Sequence, residues 1–280
     1  MLFGVSTQLY HGQRLQARHL AGFAACGFRA VEIVATRSHL DYHDPRALDE
    51  VAGWLSIHGL HLHAIHAPVT ERVENGRWGR AFSNASPTKQ ERALAVSETA
   101  AALELARRVP VSYLVVHVGL PNNHPDAGAD TRDAARRSIE EIAELASPLG
   151  TRVALEVIPN ALSTPESLAG LIEDELDALN LGVCLDVGHA HLMGDAVGAV
   201  ETLSGLLVTT HVHDNRGTTD DHLPPMEGTI DWPGVVMALQ KVGYDGVMML
   251  EMAGRGETAP ILERAAGAAR RLEALAGSWS

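Results

Sequence analysis

Short runs rich in Val, Ile and Leu alternate along the whole chain with longer stretches that read as helices. Eight such runs stand out, at Leu2 to Ser6, Ala30 to Val34, Leu60 to His66, Tyr113 to Val118, Arg152 to Val157, Gly182 to Val187, Leu207 to His213 and Gly246 to Glu251. Short apolar runs alternating with helical stretches are the pattern expected of a parallel sheet covered by helices on its faces. Four helix starts carry a capping side chain at or just before a proline: Asp44-Pro45, Ser86-Pro87, Thr164-Pro165-Glu166 and Asp231-Trp232-Pro233. Eight strands, each followed by a helix, in 280 residues predict a (β/α)8 TIM barrel of the α/β class. A doubly wound open sheet would carry a Gly-rich phosphate turn after its first strand, and Gly4-Val5-Ser6-Thr7-Gln8-Leu9-Tyr10 contains no GxGxxG. No linker divides the chain, so residues 1–280 read as a single domain. Two connections are longer than the rest, Ala67 to Ala85 and Asn215 to Ile230. Both follow strand C-terminal ends, the face on which such barrels build their sites.

Composition narrows the picture. A 46% hydrophobic chain of this length can bury a proper core, which excludes disorder for most of it. Twenty-two basic against 35 acidic residues give a net charge of −13, and Lys89 and Lys241 are the only lysines. That balance argues weakly against a nucleic-acid partner held by many phosphate contacts, although a local basic groove or a bound cation would change the local field. Cys26 and Cys184 lie far apart in apolar surroundings and form no CxxC pair, which fits a reducing, cytoplasmic compartment. The start, Met1-Leu2-Phe3-Gly4-Val5-Ser6, lacks a basic region before an apolar run, and no run of about 18 apolar residues occurs, so neither export nor membrane insertion is expected. A homo-oligomer is left open.

The chemistry sits at the predicted strand ends. Read in order they present His66, His117, Glu156, Asp186 with His189, His211 with His213, and Glu251. Ionisable groups at the ends of apolar runs are costly to bury unless paired or metal-bound. Glu156, Asp186, His211 and Glu251 can converge on one divalent cation at the barrel mouth. An oxygen-rich set with one imidazole suits Mn²⁺, Mg²⁺ or Co²⁺, whereas the further histidines favour Zn²⁺ or Fe²⁺. Of the remaining histidines, His63 and His191 are the foremost candidates to join the site; the others default to packing. Trp78 and Trp232 could stack on a ligand face, although Trp232 reads first as packing at the start of its helix beside Asp231 and Pro233; the turn Gly254-Arg255-Gly256-Glu257 could seat a phosphate, although it reads first as a glycine-rich turn with a solvated Arg.

The order Glu156, Asp186-x-x-His189, His211-Val212-His213-Asp214-Asn215, His222-Leu223-Pro224-Pro225-Met226-Glu227-Gly228-Thr229-Ile230-Asp231-Trp232 and Glu251 resembles the xylose isomerase-like superfamily of TIM barrels. Its members include sugar isomerases, ketose epimerases and the endonuclease IV type of apurinic endonuclease. For the sugar-converting members the resemblance implies a divalent-metal-dependent isomerase or epimerase, in carbohydrate metabolism, acting on a ketose or ketose phosphate through an enediolate. Glu156, Asp186, His211 and Glu251 would hold the metal, Glu156 and Glu251 would also move protons, and His189, Arg216 and His66 would bind substrate. Arg216 matches the family's arginine only approximately, and Leu162 stands where some members carry a further substrate-binding acid. The endonuclease branch implies nine ligands around three zinc ions, matched here by His66, His117, Glu156, Asp186, His189, His211, Asp220, His222 and Glu251. That branch wedges bulky residues into DNA after its His-Ala-Pro turn, where this chain has Val69 and Thr70, with Arg72, Arg77 and Arg80 nearby. The sugar reading is preferred; the trinuclear phosphodiesterase and a keto-sugar lyase or dehydratase are the alternatives.

Overall fold

The computed structural model describes residues 1–254 and 256–277. Eight strands, β1 (Leu2–Ser6), β2 (Ala30–Val34), β3 (His61–His66), β4 (Tyr113–His117), β5 (Arg152–Glu156), β6 (Leu181–Asp186), β7 (Leu207–Val212) and β8 (Val247–Leu250), form a closed barrel in chain order. Every neighbouring pair is parallel, and β8 returns to β1 with Leu2 opposite Val247. The barrel and single-domain expectation is met, with strand ends differing by about a residue.

The helices cover the outside: α1 (Ala17–Ala25), α2 (Pro45–His58), α3 (Lys89–Ala102), α4 (Arg132–Ala146), α5 (Pro165–Glu175), α6 (Val187–Leu192), α7 (Ala196–Thr202), α8 (Trp232–Lys241) and α9 (Thr258–Gly277). Asp44, Thr164 and Asp231 cap α2, α5 and α8 through side-chain oxygens that accept backbone N–H bonds. The Ser86-Pro87 start moves to Lys89. There Ser86 Oγ accepts from Thr88 N at 3.2 Å and donates to Glu91 at 2.8 Å, so Ser86 and Pro87 shape the approach rather than the first turn. Val187, expected to end a strand, instead opens α6, because Asp186 Oδ1 accepts from His189 N at 2.8 Å and turns the chain into a helix.

The alternation of side chains along a strand sorts the barrel into two environments. Outward-facing Ile33, Ile65, Leu114, Leu155, Leu185, Val212 and Leu250 pack under the helices in the main core. Small apolar side chains line much of the interior: Ala64, Val115, Ala154 and Cys184 make one inner cluster, and Ala30 and Met249 another. Two residues further along the same strands come Glu32, His66, His117, Glu156, Asp186 and Glu251. The period of two therefore carries ionisable groups onto the inner wall at its C-terminal end.

Both long connections are more ordered than irregular loops. Val73–Glu74 pairs antiparallel with Arg77–Trp78 around Asn75 and Gly76, both of positive φ, 52° and 72°. That is the two-residue turn that Asn-Gly favours, a local signal that the pattern of apolar runs does not register. Backbone bonds from Glu71 to Arg80, Gly79 to Arg72 and Phe82 to Val69 continue the ladder, so the segment stands as a stiff ribbon. Its exposed Trp78 meets the His11 ring edge-on, with centroids 5.4 Å apart.

The connection after β7 is knotted around one fully buried carboxylate. Asp214 accepts from the backbone N–H groups of Asn215 (2.9 Å), Met226 (2.9 Å) and Ile230 (3.2 Å) and from Trp232 Nε1 (2.8 Å). Its own backbone exchanges two bonds with Leu223. A Cβ at Gly228 would collide with Asp214 and with the Asn215 carbonyl, so only glycine passes there. Trp232 is thus a buried packing residue and a donor, not a sugar-stacking surface. Asp214→Ala would strand several buried donors, each worth roughly 1–3 kcal/mol when unpaired. Urea unfolding should show a loss of about 3 kcal/mol or more, with faster hydrogen exchange at residues 215–230; a loss under about 1 kcal/mol would refute the knot.

Candidate metal centre

Seven strands deliver inward side chains to the mouth, and the α6 start and the Asp214 knot add His189, Asp220 and His222 from above. His66 Nε2 and His117 Nε2 each lie 3.0 Å from Glu156 Oε2. The other oxygen, Oε1, is 3.1 Å from His211 Nδ1. Glu251 Oε2 approaches the same nitrogen at 3.3 Å, and Asp186 Oδ2 at 3.9 Å. His189 Nε2 and His222 Nε2 share Asp220 Oδ2 at 3.3 and 3.1 Å.

Among the described residues these atoms form three groups of potential metal ligands, each within 4.8 Å: His66, His117 and Glu156; Glu156, Asp186, His211 and Glu251; and His189, His213, Asp220 and His222. Glu156 belongs to two of them, one oxygen to each. The donor chemistry fits divalent cations: one group is rich in carboxylate, the other two in imidazole. The mouth therefore gathers every one of the nine residues drawn from the strand ends and the long loop.

Burial, charge and hydrogen bonding are strongly coupled here. Burial disfavours an imidazolium at His66, but the hydrogen bond and charge of Glu156 outweigh it and push the pKa up to about 9. Burial likewise opposes charge on His189 and His222, yet Asp186 and Asp220 raise His189 to about 10, and Asp220 raises His222 to about 9. Burial would raise Glu156, but His211 and His117 hold it well below the carboxylate range. Asp220 is lowered in the same way by His189 and His222 against its own burial. Protons on the histidines neutralise the carboxylates, a role that a cation would take over.

Other sequence candidates lie elsewhere. Arg216 is exposed and pairs with Asp221 at 3.8 Å. His63 Nε2 bonds Thr209 Oγ1 at 3.0 Å, and burial pushes it down to about 4. His191 bonds Thr229 Oγ1 at 2.9 Å, away from the ligand groups. Arg255, at the centre of the glycine turn, lies outside the described residues. Thr70 is buried within the ribbon.

Two members of the cluster have no role assigned by the sequence pattern. His213 sends Nε2 to Asp186 Oδ1 at 3.0 Å and stacks on His222 at 3.9 Å. Its buried Nδ1 has no hydrogen-bond partner among the described residues, and a Cβ at Gly188 would overlap its ring. Glu32 is buried, bonded to His211 Nε2 at 2.9 Å and to Ser6 Oγ at 2.8 Å. Its signal in the chain is a lone carboxylate in Ala30-Val31-Glu32-Ile33-Val34, mid-strand rather than at an end.

A closed parallel barrel with a carboxylate and imidazole cluster at its C-terminal mouth defines a (β/α)8 protein whose mouth offers potential metal ligands. The chain belongs to the xylose isomerase-like TIM barrel family, which it matches over residues 20–276. An uncharacterized protein of Methanocaldococcus jannaschii is 30% identical over 259 residues, 90% of this chain and 83% of that protein. An inosose isomerase of Bacillus velezensis is 23% identical over 239 residues, covering 81% of this chain and 79% of the relative. A crystal structure of a D-tagatose 3-epimerase-like protein superposes with a TM-score of 0.81 at 27% identity, covering 99% of each chain.

The raised histidines give a pH test. A raised pKa means stabilisation of the ion-free fold that is full below the ordinary value of about 6.5 and lost as pH rises through about 9 to 10. A divalent ion must displace those protons. At pH 7, Zn²⁺ added to chelator-treated protein should release at least one proton per chain, read by calorimetry in buffers of differing ionisation enthalpy. The gain in melting temperature on adding the ion should be larger at pH 8.5 than at pH 6. Uptake without proton release would contradict the charge assignment.

Proposed function

We propose that the protein is a divalent-metal-dependent isomerase or epimerase of a ketose or ketose phosphate. The observation that carries this reading is the meeting of Glu156 Oε1 and Glu251 Oε2 at one nitrogen, His211 Nδ1, at 3.1 and 3.3 Å from different strands. Two carboxylates around one point suit removal of a carbon-bound proton on one side and its return on the other. The names of the similar proteins, an inosose isomerase and a D-tagatose 3-epimerase-like protein, support the substrate class.

Glu156, Asp186, His211 and Glu251 would hold the reacting ion, for which their oxygen-rich set suits Mn²⁺, Mg²⁺ or Co²⁺, while the imidazole-rich groups suit Zn²⁺. A bound dication would stabilise negative charge developing on the ketose oxygens. One glutamate then takes the proton beside the carbonyl, leaving an enediolate. Return by the other glutamate to the opposite face gives the epimer, and return to the adjacent carbon gives the isomer. His66 and His189 flank this region and orient substrate oxygens. Arg216 would have to exchange Asp221 for substrate to take part. His117, Asp220 and His222 orient the centre or hold further ions. A cytoplasmic setting in carbohydrate metabolism accompanies this reading, with Cys26 and Cys184 both free thiols.

A second reading draws on the three ligand groups joined through Glu156, a disposition suited to several ions acting on a phosphodiester. Against it, Thr70 is 1% exposed and held by the ribbon, so that position offers no wedge for a DNA stack.

With Mn²⁺ or Co²⁺ and a panel of free and phosphorylated ketoses in D₂O, deuterium should enter the carbon beside the carbonyl. Glu156→Gln and Glu251→Gln should each slow that exchange by about 10²- to 10⁴-fold with the fold intact. Cleavage of abasic-site DNA by protein loaded with three ions, without sugar exchange, would replace this reading by the second.

A further inference from the structure

We infer that Glu32 is a positioning residue that selects which nitrogen of His211 faces the metal site, an inference that rests on the metal reading above. Glu32 belongs to none of the three ligand groups, yet it is 1% exposed at the same level of the barrel. Both its oxygens are engaged: Oε1 accepts from Ser6 Oγ at 2.8 Å, and Oε2 lies 2.9 Å from His211 Nε2.

The carboxylate already accepts the Ser6 hydroxyl at Oε1 and turns Oε2 to His211 Nε2 as a second acceptor, an arrangement that places the proton at that contact on Nε2. In a neutral imidazole the lone pair then lies on Nδ1, the atom facing Glu156, Glu251 and Asp186 at 3.1, 3.3 and 3.9 Å. The opposite tautomer would aim an N–H at three carboxylates and turn a lone pair toward a fourth. Glu32 excludes it, and its charge raises the basicity of the coordinating nitrogen. Ser6 fixes the carboxylate in turn. A chain of three side chains from β1, β2 and β7 thus spans the barrel and ends on the metal-facing nitrogen.

Glu32→Gln keeps the shape but removes the charge, and its amide can offer either a donor or an acceptor to Nε2. Chelator-competition titrations should show Zn²⁺ and Mn²⁺ bound about 10- to 100-fold more weakly by the variant. In ¹⁵N-histidine spectra of the Zn²⁺-loaded wild type, His211 should show a protonated Nε2, and this resonance should shift or broaden in the variant. Circular dichroism of the ion-free variant should match wild type, which separates positioning from folding. Should Glu32→Gln fail to fold, Ser6→Ala decides: it keeps the carboxylate but loosens it, and should weaken the ions several-fold. Unchanged affinity in a folded Glu32→Gln, or in Ser6→Ala where Glu32→Gln does not fold, overturns the inference and leaves the metal reading standing. Likewise, a loaded wild type with His211 protonated at Nδ1 overturns it. A wild type that takes up neither ion removes the metal reading and this inference together.

Discussion

Mutual neutralisation of buried carboxylates and imidazoles is the constraint around which this barrel is arranged. Glu32, Glu156, Asp186 and Glu251 are each 5% exposed or less, at a depth where an isolated carboxylate would protonate rather than stay charged. Each has an imidazole within about 3 Å: His211 serves Glu32, Glu156 and Glu251, and His213 and His189 serve Asp186. Removing one partner leaves a charge without compensation, a cost that falls on the order of the mouth and on its neighbours in the cluster. The same requirement prepares the mouth for a cation, since each proton resting on a ligand histidine can give way to part of a metal's charge.

The rest of the architecture holds these groups in place. Ala30, Ala64, Ala154 and Cys184 keep the layer beneath them small and apolar. The Asp214 knot fixes the loop bearing Asp220 and His222; His222 adopts a φ of 47°, a conformation uncommon for a non-glycine residue and tolerated because the loop is tied on both sides. The ribbon from Val69 to Phe82 grows out directly after His66, and Asn84 at its far end donates to the His117 carbonyl at 2.9 Å. Two ligand-bearing strand ends are thereby tied to one stiff element. Its turn is built by Asn75 and Gly76, so the ribbon is a local product of the chain rather than of the barrel.

Membership of a versatile barrel family leaves chemistry to the site. The two carboxylates meeting at His211 speak for proton transfer on a sugar, whereas the sharing of Glu156 between two ligand groups speaks for more than one ion. Both arise from the same atoms: Oε1 of Glu156 serves the first and Oε2 the second. Ion count and substrate are thus coupled, because occupying the His66 and His117 side withdraws one oxygen of the glutamate that would move protons.

Much of the fold and the site is legible in the chain alone, because period and burial are written locally. Short Val-, Ile- and Leu-rich runs between helical stretches read as strands covered by helices, and an acid or histidine ending such a run has to be paired or bound, which singles out His66, His117, Glu156, Asp186, His211 and Glu251. Turn chemistry is equally local, and Asn75-Gly76 carries the ribbon's bend in two residues that the apolar pattern leaves blank. Glu32 acquires its value only in three dimensions. A carboxylate in the middle of β2 carries no meaning until barrel closure sets it 2.9 Å from a histidine 179 residues away. The hydrogen-bond partner across the barrel, not the residue's own neighbours in the chain, determines whether a buried charge is tolerated and which nitrogen of an imidazole is left to bind.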